Sequence, residues 1–119
     1  VIIDTRSGNI VGDPEGVTIY KTNTNEGFVI LSSQGNSTLN IYDRNYPYNF
    51  INSFNIIANG SIDAVTDTDG VDVVNNYLGP LFPKGLLVVQ DGSNDGEGLI
   101  KKQNFKFVSI KDVIDKIDE

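Results

Sequence analysis

Apolar and polar residues alternate along most of this chain with the period of two that a half-buried β-strand imposes. Val17 and Ile19, Val29 and Leu31, and Leu39 and Ile41 each occupy alternate positions. The pattern predicts strands over 1–5, 16–22, 27–34, 38–44, 48–57, 71–76, 85–91 and 104–110. Gly16, Gly27, Gly35, Gly70, Gly85 and Gly92 mark strand entries and exits, among Asn and Asp residues suited to turns. A helical period occurs once, at the end, where Ile110, Val113, Ile114 and Ile117 fall on one face. Ser109 and Asp112 precede and open it at the spacing of a capping box. Such a terminal helix is expected to lay its apolar stripe on a sheet.

The predicted strands repeat. Asp13-Pro-Glu-Gly-Val-Thr-Ile-Tyr20 and Asp67-Thr-Asp-Gly-Val-Asp-Val-Val74 share acid-x-acid-Gly followed by a strand. Val29-Ile-Leu-Ser-Ser-Gln-Gly-Asn36 aligns with Leu86-Leu-Val-Val-Gln-Asp-Gly-Ser93, and Leu39-Asn-Ile41 with Phe105-Lys-Phe107. The offsets grow from 54 to 57 to 66, as when strands are kept and loops absorb insertions. A unit of roughly 55 residues with about four strands has the size of a propeller blade. The expected fold class is therefore all-β, a β-propeller, with this chain supplying two four-stranded blades and a short C-terminal helix. Residues 1–12 would end a preceding blade, with 1–5 as its last strand; 13–62 would form one blade, and 63–119 the next blade and closing helix. A closed ring needs at least about four blades, so the remainder is expected from further sequence or from other chains. The lack of Met and the opening Val-Ile-Ile likewise predict a piece of a longer protein.

Charge gives the loops a chemistry. The formal net charge is −7, which argues against a nucleic-acid partner and for bound cations. No apolar run approaches the ~20 residues of a membrane-spanning helix, so no membrane association is expected. Nine of the sixteen acidic residues lie in three glycine-containing loops. These are Asp13 and Glu15; Asp63, Asp67, Asp69 and Asp72; and Asp91, Asp95 and Glu97. Two of these loops enter the first strand of each unit, which in a propeller lines the central channel. Carboxylates converging at a channel mouth repel one another unless a cation lies between them. The chain has no His and no Cys, and all-oxygen donors select Ca²⁺ over Zn²⁺. Asp beside Gly is also ordinary turn chemistry, and that reading suits Asp43 and Asp95. Recurrence at one blade position singles out Asp13, Glu15 and Asp69.

An EF-hand is excluded. Asp91-x-Ser93-x-Asp95-Gly96 imitates the start of such a loop, but its twelfth position is Lys102 rather than the required Glu. Asp67-x-Asp69-Gly70 has Val65 at the first ligand position, and both segments have strand-forming flanks.

Several segments, in order, resemble one family. They are Asp13-x-Glu15-Gly-x-Thr-Ile-Tyr20, Ser32-Ser-Gln-Gly-Asn36, Ile41-Tyr-Asp-Arg44, Thr66-Asp-Thr-Asp-Gly-Val-Asp72, Leu78-Gly-Pro80, Val89-Gln-Asp-Gly92 and Gln103-Asn-Phe-Lys106. The ordered set is similar to the C-terminal third of the β-propeller, or alkaline, phytases. The resemblance implies a secreted, six-bladed, calcium-dependent phosphatase acting on inositol hexakisphosphate as calcium phytate. It implies that Asp13, Glu15 and Asp69 ligate catalytic calcium, which holds substrate phosphates and activates an attacking water. It also implies that Asp63, Asp91 and Asn94 bind a more buried, stabilising calcium. Ser93 departs from the pattern, standing where the family usually carries Glu.

The residue types suit that chemistry. An acidic pocket repels a polyanion unless metal ions invert the local sign, and water attack needs no covalent His or Cys nucleophile. The absence of His also excludes a histidine acid phosphatase in this segment. Arg6, Lys21, Arg44, Lys84, Lys101, Lys102, Lys106, Lys111 and Lys116 are scattered and are expected to be solvated surface charges. Two further readings stand beside the enzyme: a non-catalytic calcium-binding propeller that recognises a ligand, and a two-blade unit assembling with other copies.

Overall fold

The computed structural model describes residues 1–57, 59, 62, 64–92 and 104–117. Its first sheet is an antiparallel meander of β1 (Val17–Lys21), β2 (Gly27–Ser33), β3 (Thr38–Asp43) and β4 (Phe50–Phe54). The second is a meander of β5 (Val71–Val74), β6 (Leu86–Asp91) and β7 (Asn104–Ser109), followed by α1 (Ile110–Ile117). The chain is thus mostly β, as the alternation predicts. The second sheet has three strands among the described residues, one fewer than expected.

The strand expected at 1–5 does not form. Extended backbone persists as a strand only when a neighbour accepts its hydrogen bonds, and Val1–Thr5 pairs with none of the described strands. Instead the segment turns over residues 6–9, with Gly8 donating to the Thr5 carbonyl at 3.0 Å. It is fastened to the first sheet by side chains. The Tyr42 hydroxyl donates to Asp4 Oδ2 at 2.5 Å, Asn40 Nδ2 to the Asn9 carbonyl at 2.9 Å, and the Val11 N–H to Ser33 Oγ at 2.8 Å. Ile10, Val29 and Tyr42 are buried.

Burial alone would push the Asp4 carboxyl up. Hydrogen bonds from Tyr42 and from the N–H groups of Thr5 and Asn9 outweigh it, and the carboxyl titrates below its ordinary value. A carboxyl lowered by folding stabilises the fold above its unfolded pKa, near 3.8, and loses that contribution as the pH falls through the lower folded value. Tyr42→Phe is therefore expected to cost about 1.5–3 kcal/mol at pH 7, the range for a hydrogen bond to a charged group. Urea unfolding at pH 7 and pH 3 checks this, since the deficit should shrink at the lower pH.

The first three strands of the two sheets share one order of pairing. β1 pairs with β2 through Val17–Leu31, and β5 with β6 through Val71–Val89. The first strands correspond at the offset of 54 and the third strands at 66, as read from the sequence. The middle strands do not correspond at 57. Register places Gly27 opposite Lys21 and Leu86 opposite Val74, with Gly85 just outside the second ladder, so Gly27 and Gly85 correspond and Val29 matches Leu87 rather than Leu86. The sequence alignment was drawn by Gly35 and Gly92, which lie beyond the strand ends in connections of unequal length. A slip of one residue exchanges the faces of a strand, so the correction decides which side chains are equivalent.

The face of the first sheet bearing Tyr20, Ile30, Leu39 and Ile41 packs on the face of the second bearing Leu87 and Val89. Ile30, Ile41 and Leu87 are fully buried, each worth about 1.5–3 kcal/mol in removal from water. Applying the corrected equivalence, these are opposite faces of corresponding strands, so the sheets stack in one direction. Each sheet consequently has an outward face with exposed apolar residues: Val17 and Ile19 on the first, Val74, Phe105 and Phe107 on the second. Tyr20 also ties the layers together, its hydroxyl donating to the Lys84 carbonyl at 2.8 Å.

The helix lies where the apolar stripe predicts, with Ile110 and Val113 buried in the shared core and Ile114 and Ile117 against it. No bond between Ser109 and Asp112 is formed among the described residues. The Ile110 N–H donates instead to the Gly85 carbonyl at 3.2 Å. No helix of the described residues is long and apolar enough to cross a membrane.

Candidate functional site

The two acid-x-acid-Gly loops enter β1 and β5, which lie side by side, so both loops sit at the same end of the sheets. Their backbones touch at the glycines. A Cβ on Gly16 would stand 3.0 Å from the Val71 nitrogen and 3.2 Å from the Gly70 Cα. Glu15 and Asp69, each preceding one of these glycines, are therefore brought to either side of a single backbone contact. Asp13, Glu15 and Asp69 are all exposed.

Each of the three is held differently. Asp13 makes an exposed ion pair with Arg6, and its backbone carbonyl accepts from the Gln34 N–H at 3.2 Å. Glu15 donates its N–H to Ser32 Oγ at 3.0 Å. Asp69 donates its N–H to Gln90 Oε1 at 3.0 Å, and its carboxylate accepts from the Gln34 side-chain amide. Gln34 thus joins the two loops, by its backbone to one and its side chain to the other. It stands in the short 3-10 turn Gln34–Asn36 that follows β2. Gly12 and Gly35 let loop and turn approach, since a Cβ on Gly12 would come within 2.8 Å of the Gly35 backbone.

Sequence reasoning assigned no role to Gln34, Ser32 or Gln90. The available signal was a polar residue in phase with apolar ones along the middle strand, Ser32 with Ile30 on the packed face of the first sheet and Gln90 with Val88 on the outward face of the second. Ser32 follows Ile30 in the alternation and is fully buried, and Gln90 is 8% exposed.

The carboxylates expected to hold a second, buried calcium have a different setting. Asp63 and Asn94 lie outside the described residues. Asp91 is fully buried, accepts from the Thr66 N–H at 3.1 Å on Oδ1, and forms an ion pair with Lys106 on Oδ2. Lys106, expected to be a solvated charge, is instead buried, with its ammonium also 3.3 Å from Asn104 Oδ1. The strand phase explains the difference: on β7 the two phenylalanines face outward and Lys106 between them faces the core. Thr66 Oγ1 is a buried oxygen with no hydrogen-bond partner in the described structure.

The donor set at the loop mouth consists of hard oxygens, which fits Ca²⁺. The side chains are separate, however: among the described residues no three acidic side chains lie close enough together to hold a metal ion. A furrow of about 980 Å³ runs between residues 54–57, 59 and 62 and the β7–α1 edge, and none of the three carboxylates lines it.

Two comparisons with known proteins bear on these residues. The model of the phytase family matches residues 1–119. A 3-phytase of Bacillus subtilis (strain 168) is 37% identical over 119 residues, covering 99% of this chain and 31% of the relative. The chain therefore spans about a third of the length of the curated relative it matches.

Proposed function

The chain belongs to the phytase family, and from that premise we propose that the polypeptide containing it hydrolyses phosphomonoesters of phytate in a calcium-dependent reaction. The observation that carries the reading is the apposition of the two acidic loops, with Glu15 and Asp69 exposed on either side of the Gly16–Gly70 contact. Asp13, Glu15 and Asp69 would hold calcium at this mouth. When bound, the ion would neutralise substrate phosphate oxygens and supply the Lewis acidity for attack by water. The chain's own residues prepare that site. The Gly16–Gly70 contact sets the loop spacing, Gln34 bridges the loops, and Arg6 balances Asp13. The buried carboxylate Asp91, which accepts from the Thr66 N–H, would serve the stabilising calcium together with Asp63 and Asn94.

The two sheets are read as two blades of a six-bladed propeller of a secreted enzyme. The outward faces at Val17 and Ile19, and at Val74, Phe105 and Phe107, are where neighbouring blades would stack, supplied by the rest of the polypeptide. Those same open faces support the second reading, a unit completed by other chains that holds calcium without catalysis. Phosphate release from calcium phytate, measured in the full polypeptide, separates the two. Asp69→Ala is expected to lower the rate about 10- to 100-fold, the usual cost of disturbing a metal's ligand shell. An unchanged rate removes Asp69 from the site. No release by the parent protein overturns the enzyme reading.

A further inference from the structure

We propose that Ser32 and Gln90 are positioning residues for Glu15 and Asp69, one built into each sheet at the same place. Both are the penultimate residue of the middle strand. In each sheet this residue's N–H donates to the carbonyl of the loop glycine, Ser32 to Gly16 at 2.8 Å and Gln90 to Gly70 at 2.9 Å. In each sheet its side chain then accepts from the N–H of the acidic residue preceding that glycine, at 3.0 Å in both cases. Ser32 Oγ accepts a second time, from the Gly16 N–H at 2.8 Å.

The bonding pattern recurs although the side chains differ in kind, a hydroxyl in one sheet and an amide in the other. Both occupy buried strand positions that an apolar residue would fill if packing alone mattered. A polar group there costs free energy unless it is hydrogen-bonded. What the two side chains accomplish is to fix the backbone from which each carboxylate projects while leaving the carboxylate in solvent. Two anions on adjacent loops otherwise separate by mutual repulsion, and a site held in place by its supporting residues does not have to be assembled when its ligand arrives.

The inference rests on the reading that Glu15 and Asp69 hold calcium, and its test keeps the two apart. In the full polypeptide, Ser32→Ala is expected to speed amide hydrogen exchange about tenfold at Glu15 and Gly16 but not at Asp69. Gln90→Leu should do the reverse, with the amides of Ile30 and Leu87 unmoved in both. Calorimetric titration of the chelator-treated protein with calcium should show an affinity about tenfold weaker in each variant, with Ser32→Thr restoring the parent value. Exchange that does not follow this crossed pattern overturns the proposal. So does altered exchange with calcium affinity equal to the parent's, which would leave the two side chains a structural role only. A parent protein that takes up no calcium overturns the calcium reading itself, and the positioning role falls with it.

Discussion

Replacing Lys106 by methionine is expected to destabilise the protein by about 3–5 kcal/mol, the cost of breaking a buried ion pair from one side. Asp91 is fully buried and Lys106 is 8% exposed, so water does not take over the missing charge. The Thr66 N–H remains on Asp91 Oδ1, but a neutral donor does not replace an ammonium. Chemical unfolding of Lys106→Met should show the loss as a lower midpoint. In chelator-treated protein, Asp91→Leu combined with Lys106→Met should recover much of it, because with no calcium bound an apolar pair of similar size leaves no charge stranded. A double variant as unstable as the single one would show that Asp91 has a stabilising role beyond pairing with Lys106.

The second large effect is expected at Gly85. Its φ is +112°, and a Cβ there would collide with the carbonyl oxygen of Val74 and lie 2.9 Å from the Asn75 Cα. Gly85→Ala is expected to cost about 3 kcal/mol or more, combining backbone strain with that collision. Gly79 provides the contrast, since its φ is +95° but a Cβ there meets nothing within 4 Å. Gly79→Ala should therefore show the strain alone, about 1–2 kcal/mol. Thermal unfolding of the two variants side by side measures the difference. Equal losses would mean that the close approach at Gly85 contributes nothing.

These glycines also show what could be read in the sequence. The alternation located seven strands and the helix, because a sheet with a buried face writes a period of two into its residues. The doubled acid-x-acid-Gly loop was legible because a repeated architecture repeats its turns. The middle-strand register was not. Gly35 and Gly92 are adjacent to similar residues, and only the ladder shows that Gly27 and Gly85 are the structural counterparts. Lys106 was misread because a charged residue suggests solvent, whereas its partner Asp91 becomes visible only when β6 and β7 are laid together. The strand expected at 1–5 had the right composition, but strand formation is decided by a neighbour that composition does not show. At the candidate site the acidic residues were evident. Gln34, Ser32 and Gln90 were not, since their roles consist of hydrogen bonds to backbone atoms contributed by distant segments.

The attachment of the first twelve residues has a consequence for how the molecule opens. Within the sheets, each strand belongs to a ladder whose hydrogen bonds are lost together. Residues 4–11 are held mainly by side chains, through Tyr42, Asn40 and Ser33, with one direct backbone bond to the Gly35 N–H at 2.7 Å. Segments held in this way form units that open with a lower free energy than the whole fold. The stretch 4–11 is thus a unit that can part from the first sheet while the ladders stay intact. Its parting would release the Tyr42 hydroxyl from Asp4 and the Asn40 amide from Asn9, so the first sheet would meet solvent at that place.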